Sequence, residues 1–310
     1  MNIKSLLSAT ITLLFAMAVT SYTEETAQTF IISGRPIIVP APTGFIEVSE
    51  LSPETRQKAE LLTPPNNRLL AVYASEVDVG AILKGETPAL NRYMLLQSFN
   101  KLENEYVTDD SFAQITKDVK QKQHELLSNI SDDLKTIIDN ASEKMSTAYD
   151  VSLNIKMGEQ VPLGIFNDKE NVIGMAFLAK YQMQVNDVPT DHLVANGTSI
   201  VLAHGSVLFA YVYGNYDTHD DLDWVRSMSM NWVDQITDAN LIYDPSTTSK
   251  HFDDLFFPTN QSKTNRSNHN AWDDILAKAL GGGIAAGIIL LFVYGIQWLG
   301  KCFRRNNNKE

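Results

Sequence analysis

Alternating apolar and polar residues mark the clearest strands in this chain. From Ile173 to Val185 every second side chain is apolar or aromatic, a period typical of a β-strand with one face on a core. The β-rich runs 198–203 and 206–213 are separated only by His204-Gly205, so they predict a tight hairpin. Weaker runs predict further strands at 30–32, 36–39, 45–48, 69–74, 91–99 and 152–156, and a loop or edge piece at 161–166.

Apolar residues at steps of three, four and seven predict a long amphipathic helix at 109–149. Ser131 could cap a second helix inside it, which leaves two helices with a kink as an alternative. This helical stretch could form a coiled-coil surface or a mobile lid, or it could pack on its own sheet. Shorter helices are predicted at 53–62, at 77–83 and from Thr218 to about residue 240, the last of them lying on the sheet of the hairpin.

The order of these elements predicts an α+β fold, with a largely antiparallel sheet and helices packed on one face. The region 22–243 is long enough for one sizeable core, with two small domains as the alternative.

A transmembrane helix is predicted at 279–300. This stretch contains no charged residue, and about 20 apolar residues are enough to cross a bilayer core. The tail 301–310 is basic, and basic residues beside a span are retained in the cytoplasm. Gly283 and Gly287 lie four residues apart, a spacing that lets two membrane helices approach closely. They are the candidate contact for a homodimer or for another membrane helix. The alternative is a buried helix of a soluble protein.

The first 21 residues resemble a secretory signal peptide. Lys4 precedes an apolar run at 6–19 that contains the small-residue pattern Ala16-Met17-Ala18; an uncleaved N-terminal anchor is the alternative. Segment 244–278 is rich in polar residues and predicts a linker. Its apolar residues, which could dock on the domain or on the membrane surface, are Phe252, Leu255, Phe256 and Phe257.

These segments predict a single-pass membrane protein with domain 22–243 outside the cytoplasm and tail 301–310 inside it. In a Gram-negative cell the domain would be periplasmic. The chain also contains N-x-S/T triplets. They are chance matches if the protein is bacterial, and they are glycan acceptors if it is a eukaryotic secretory protein. The triplets begin at Asn129, Asn140, Asn196, Asn260 and Asn265.

The net charge and the cysteine content limit the kinds of partner and site that are expected for the exported domain. The formal net charge is −12, and removing the charges of Lys4 and of the tail leaves −16 on the exported part. Such a surface repels nucleic acid and anionic lipid, so neither is expected as a partner of the domain. The one cysteine, Cys302, lies in the tail, where it is either a lipidation site or an incidental thiol. The exported domain therefore holds no disulfide and no thiolate metal site.

For each candidate site in the sequence, a structural explanation of the residues is favoured over a functional one, and no cofactor is expected. Acids cluster around His219, but the central glycine of a calcium loop is absent and helix capping explains them. His192 near Asp187 and Asp191 could be a base with an orienting acid, yet no serine nucleophile accompanies it. His204 in its turn is expected to be exposed to solvent. The clustered acids are Asp217, Asp220, Asp221 and Asp223.

Two further features have weak functional interpretations. His124-Glu125 begins like a zinc-binding helix, but Ser128 stands where the second histidine is needed. A set of aromatic residues could line a ligand groove, although packing in the core is favoured. This set comprises Tyr181, Tyr211, Tyr213, Tyr216, Trp224 and Trp232.

The ends of the exported domain resemble PsbP-like domains. The residues 40–45 (PAPTGF) are similar to their entry segment, and the strand 206–213 followed by the helix 221–240 is similar to their last strand and helix. The ending also resembles uncharacterised secreted or membrane-anchored bacterial proteins. The resemblance covers about a third of the domain, and the long helical stretch departs from it. It implies a binding or assembly factor without catalytic residues, so no site residue is carried over.

The sequence therefore predicts a membrane-anchored, extracytoplasmic accessory or assembly protein of the cell envelope. It is expected to be a non-catalytic module that binds another membrane or exported protein. The alternative is a membrane-tethered hydrolase or a small-ligand binding protein with an unmarked site.

Overall fold

The computed structural model describes residues 27–86, 88–149, 152–185 and 188–241. These residues form nine strands and four α-helices. The strands are β1 Gln28–Ile32, β2 Arg35–Val39, β3 Phe45–Glu47, β4 Asn67–Ser75, β5 Arg92–Phe99, β6 Leu153–Lys169, β7 Val172–Val185, β8 Val188–Ala203 and β9 Ser206–Asn215. The helices are α1 Pro53–Leu62, α2 Glu76–Leu83, α3 Asp109–Tyr149 and α4 His219–Leu241.

Seven strands form one antiparallel sheet in the order β3-β4-β5-β9-β8-β7-β6. Strands β1 and β2 form a separate antiparallel hairpin. The predicted α+β class with a large antiparallel sheet is confirmed. The predicted loop or edge piece at 161–166 is part of the edge strand β6, whose pairing with β7 shifts register at three places.

Helices cover both faces of the large sheet, so the prediction of helices on one face is wrong. Tyr211 and Phe209 of β9 lie in a core that includes Phe112 of α3. Ala210 and Val212 lie in a second core with residues of α4. Both sets of alternating residues in β9 are apolar, and a strand that is apolar on both faces needs cover on both.

Helix α3 is continuous through Ser131, so the two-helix alternative is wrong. It runs antiparallel to β6: Lys120 Nζ lies 2.6 Å from Asp168 Oδ2, and Ser146 Oγ accepts the Leu153 N–H at 3.1 Å. Buried apolar residues of α3 belong to the core beneath it, which supports packing on the helix's own sheet. These residues include Phe112, Ile115, Val119 and Ile138.

The β1–β2 hairpin packs against α4 and also contacts the large sheet, where Ser206 Oγ donates to the Ile32 carbonyl at 3.3 Å. Asn240 Oδ1 accepts the Ile38 N–H at 3.0 Å, and Asn240 Nδ2 donates to the Ile38 carbonyl at 2.7 Å. Trp232 Nε1 donates to the Pro40 carbonyl at 3.0 Å. The buried residues of α4 therefore share one core with the hairpin and with the large sheet.

The predicted turn between β8 and β9 is confirmed. His204 and Gly205 have φ angles of 49° and 71°, the positive values that the favoured two-residue hairpin turns require. Gly205 also lies against the ring of Tyr106, because a Cβ built on it would be 2.3 Å from that ring.

No helix within the described ranges is both long and apolar enough to cross a membrane. The predicted signal peptide 1–21, linker 244–278, span 279–300 and tail 301–310 lie outside the described residues.

Candidate functional site

Among the acidic residues at the start of α4, Asp221 caps the helix. Asp221 Oδ2 accepts the N–H of Thr218 at 3.0 Å and of Asp217 at 3.1 Å. The hydrogen bond from Thr218 is the largest cause that lowers the pKa of Asp221 below its ordinary value, and the hydrogen bond from Asp217 is the next. A hydrogen bond from Arg92 acts in the same direction. The hydrogen bonds of Asp221 are those of a capping residue, and no group of three or more possible metal ligands occurs among the described residues.

The structure separates His192 from its proposed acid. Neighbouring residues of a strand point to opposite faces: His192 stacks on Tyr181, whereas Asp191 accepts a hydrogen bond from Gln182 at 3.0 Å. Burial lowers the pKa of His192, and the charge of Asp191 only partly opposes this. The base–orienter arrangement is therefore not formed with Asp191, and the side chain of Asp187 lies outside the described residues.

His204 is half-buried, so the expectation of a solvent-exposed turn is wrong. Its Nδ1 lies 3.2 Å from the Pro36 carbonyl, and its Nε2 lies 2.7 Å from the Asn240 carbonyl. The ring joins the β8–β9 turn to β2 and to the last turn of α4. Its role is therefore structural.

The aromatic residues do not converge on one groove. Tyr181, Tyr211 and Tyr213 are buried on the α3 face of the sheet, where Tyr93 stacks on Tyr213 with ring centres 4.8 Å apart. Trp232 is buried on the opposite face. Burial raises the pKa of Tyr211 and of Tyr181 well above the ordinary value, so these hydroxyls stay protonated. Core packing of these four residues is confirmed.

An open groove of about 830 Å³ lies between the β1–β2 hairpin and the edge of the large sheet. It is open there because β3 pairs only with the last three residues of β4. One wall is β1, another is α1 with the prolines that end it, and the floor includes the start of β4. The lining residues are Gln28, Thr29, Phe30, Glu50, Arg56, Glu60, Thr63, Pro64, Pro65, Asn67, Arg68, Leu69, Leu70 and Asn100.

The arginine on the α1 wall of the groove is paired with two glutamates. Arg56 Nη1 lies 2.6 Å from Glu50 Oε1, and its Nε lies 2.9 Å from Glu60 Oε1. The hydrogen bond to Glu60 is the largest cause that raises the pKa of Arg56 above its ordinary value. One arginine and two glutamates leave a net charge of −1 on this wall, so it does not favour anionic ligands.

Arg68 spans one end of the groove. Its Nε lies 2.5 Å from Glu103 Oε1, and its Nη2 donates to the Ile31 carbonyl at 3.1 Å. The bond to Ile31 shows that the carbonyl of this residue points away from β2.

The free edge of β1 faces the groove. In an antiparallel pair, backbone groups alternate between facing the partner strand and facing away from it. Since the Ile31 carbonyl faces away from β2, the N–H and carbonyl of Thr29 do so as well. Thr29 lines the groove, so its backbone donor and acceptor are available to an extended ligand.

The polar side chains that line the groove are amides, threonines and paired charges. Among its described lining residues there is no histidine, cysteine, serine or aspartate, and its two glutamates are both paired with Arg56. The groove was missed by sequence reasoning because its walls come from four separate parts of the chain. The local sequence feature at the groove is Pro64-Pro65, which follows the end of α1. The predicted membrane contact at Gly283 and Gly287 lies outside the described residues.

Comparison with known proteins shows only a distant structural similarity. No protein-family model matches the chain, and no curated protein matches it. A solved structure of a mutant of the protein Mog1 is 11% identical over 72% of this chain and 100% of its own, with a TM-score of 0.29. The Saccharomyces cerevisiae Ran-binding protein Mog1p is 11% identical over 72% of this chain and 98% of its own, with a TM-score of 0.27. These values carry no argument about function.

Proposed function

We propose that the chain is a membrane-anchored, extracytoplasmic accessory or assembly protein of the cell envelope. It binds another membrane or exported protein and has no catalytic residues or cofactor of its own. Residues 279–300 anchor it, with the domain 22–243 outside the cytoplasm and the tail 301–310 inside. Membership of the PsbP-like group is part of this proposal.

The groove beside β1 is the observation that carries the proposal. Its ionisable side chains are paired with one another, which argues for recognition of a surface rather than for proton transfer. The free edge at Thr29 suits an extended segment of a protein partner, because a strand added to an edge gains main-chain hydrogen bonds. The net charge of −12 argues against nucleic acid as that partner.

Co-purification from gently solubilised membranes tests the proposal with four forms of the protein: the full chain, a chain ending at Asn270, and the full-length variants Thr29→Pro and Thr29→Val. Proline removes the outward N–H but is tolerated on a strand edge, whereas valine keeps the N–H. We expect the same partner with the full chain, the shortened chain and Thr29→Val, and its loss with Thr29→Pro.

The other results contradict parts of the proposal. A partner that requires residues beyond Asn270 places the contact in the span, with Gly283 and Gly287 as the first residues to change, either for a homodimer or for another membrane helix. Binding that survives Thr29→Pro excludes the edge of β1. No partner with any form of the protein refutes the binding function.

A small-ligand binding protein or a tethered hydrolase is the second candidate. The groove volume of about 830 Å³ lies within the range of small-molecule sites. A screen of ligands by thermal shift on the full chain tests this candidate, which requires a ligand whose effect is lost when Pro65 on the groove wall is changed to Arg.

A further inference from the structure

The β1–β2 hairpin has an exposed apolar face. By its register, Thr29, Ile31, Pro36 and Ile38 share the side that points away from the core. Ile31 is 59% exposed and Ile38 is 39% exposed, and Leu241 at the end of α4 is 69% exposed. We call Ile31, Ile38 and Leu241 the hairpin surface.

The sequence of the hairpin is that of strands covered on both sides. Phe30-Ile31-Ile32 and Ile37-Ile38-Val39 are continuous apolar runs, whereas a strand with one solvated face alternates apolar and polar residues. Ile32, Ile37 and Val39 are buried against α4 and the large sheet. Within the described residues nothing covers Ile31, the most exposed large apolar residue of the two strands.

The chain leaves the described domain at this surface. Helix α4 ends at Leu241, and the preceding Asn240 is hydrogen-bonded to both backbone groups of Ile38. Leu241 directly follows Asn240, so it lies next to β2, and β1 is one strand spacing of about 4.8 Å further on. Whatever follows Leu241 therefore begins beside the hairpin surface.

The next large apolar cluster in the sequence is within reach of this surface. Residues 242–251 separate Leu241 from Phe252, and ten extended residues span up to roughly 33 Å. Four large apolar side chains then occur within six positions of an otherwise polar segment: Phe252, Leu255, Phe256 and Phe257. A segment tethered this close has a high effective concentration at the surface, which a separate partner lacks.

We propose that the segment 252–257 docks on the hairpin surface of its own chain. Burial of its phenylalanines against Ile31 and Ile38 supplies the second cover that the apolar runs of the hairpin require. Docking leaves only 258–278 as the spacer to 279–300, so it limits how far the domain can stand from its anchor.

Disulfide trapping in the full chain tests the docking, with Cys302→Ser as the background because Cys302 is the one native cysteine. Thr29→Cys and Asp254→Cys place one thiol on the outward side of the hairpin and one inside the segment, and they leave every apolar residue of the two surfaces intact. Oxidation by copper phenanthroline is followed on non-reducing gels, in detergent and in lipid nanodiscs.

Two matched controls separate docking from simple tethering. The first keeps the cysteine pair and changes Phe252, Leu255, Phe256 and Phe257 to Ser, so the length of the tether is unchanged. The second pairs Asp254→Cys with Val77→Cys, since Val77 lies on α2 and is 84% exposed. We expect the docked pair to form its intramolecular disulfide roughly tenfold faster than either control, because contact raises the effective concentration.

Three results overturn the proposal. Equal rates with the natural segment and the serine segment show that tethering alone brings the thiols together. A disulfide mainly between two chains assigns the hairpin surface to a second copy. Fast trapping in detergent that disappears in nanodiscs assigns the segment to the membrane surface. The variant Ile31→Ser with Ile38→Ser must slow trapping as much as the serine segment does, and it leaves the buried core unchanged.

Discussion

The carboxamide of Asn240 is the point at which α4 holds the N-terminal hairpin, and Asn240→Ala tests how much that contact stabilises the fold. The side chain is 7% exposed and makes three hydrogen bonds: from the Ile38 N–H, to the Ile38 carbonyl and to the Ile236 carbonyl. Each contributes about 1 kcal/mol net, so alanine should lower the free energy of unfolding by about 3 kcal/mol. For a domain of this size the midpoint of thermal unfolding should fall by about 6–12 °C.

Urea unfolding of the full chain, followed by tryptophan fluorescence, measures this change. Asn231→Ala is the matched control, because Asn231 is an exposed asparagine on the same helix, and it should change stability by less than about 0.5 kcal/mol. Hydrogen exchange at the Ile38 amide should accelerate in Asn240→Ala alone. If Asn240→Ala costs no more than Asn231→Ala, or if exchange at Ile38 is unchanged, then the carboxamide does not hold the hairpin and the reasoning fails.

Three further predictions follow from contacts between distant parts of the chain. His204→Ala should lower the free energy of unfolding in urea by about 1–3 kcal/mol, because it removes the contacts to the Pro36 and Asn240 carbonyls. His204→Asn should lower it less, because asparagine tolerates the positive φ of this position. Equal losses in the two variants would show that backbone conformation does not contribute. Gly197→Ala should lower the free energy of unfolding by about 1–3 kcal/mol, because the new Cβ would lie 2.3 Å from Ser229 Oγ and 3.0 Å from Val225 Cγ1. Gly80→Ala in α2 should instead stabilise the chain by about 0.5–1 kcal/mol, because its Cβ would meet no atom within 4 Å. A neutral Gly197→Ala would refute the close approach of α4 to β8. The N–H groups of Thr218 and Asp217 lower the pKa of Asp221 from its ordinary value of 3.8, so the stability that Asp221 contributes is complete above that value and is lost as the pH falls through the lowered value. The midpoint of thermal unfolding should therefore fall more below about pH 4 in the natural chain than in Asp221→Asn. Parallel curves for the two proteins would contradict the capping role.

Short-range features of the sequence located nearly every element. Ser52 and Pro53 stand at the start of α1, and the alternation from Ile173 onward identified β7 and the side chains that it buries. Caps and periods of this kind depend on neighbours within a few residues, so they can be read without the fold. The same reasoning assigned Thr218 and the acids after it to the start of α4.

The layers and the groove depended on contacts between residues far apart in the chain. The apolar character of Leu208, Ala210 and Val212 was visible, but only the tertiary structure showed that α4 covers them while α3 covers the other face. His204 appeared exposed because its turn is local, yet its ring meets Pro36, which lies 168 residues away.

The sequence by itself determined the overall charge and the character of the C-terminal segments: a net charge of −12, an uncharged run at 279–300 and one cysteine, Cys302. Only the tertiary structure decided that a groove exists and how its charges are paired, since Arg56 meets Glu50 and Arg68 meets Glu103 through side-chain contacts that spacing does not reveal. The physical reason is that periodicity and capping are local properties of the backbone, whereas burial and charge pairing depend on which distant surfaces the fold brings together.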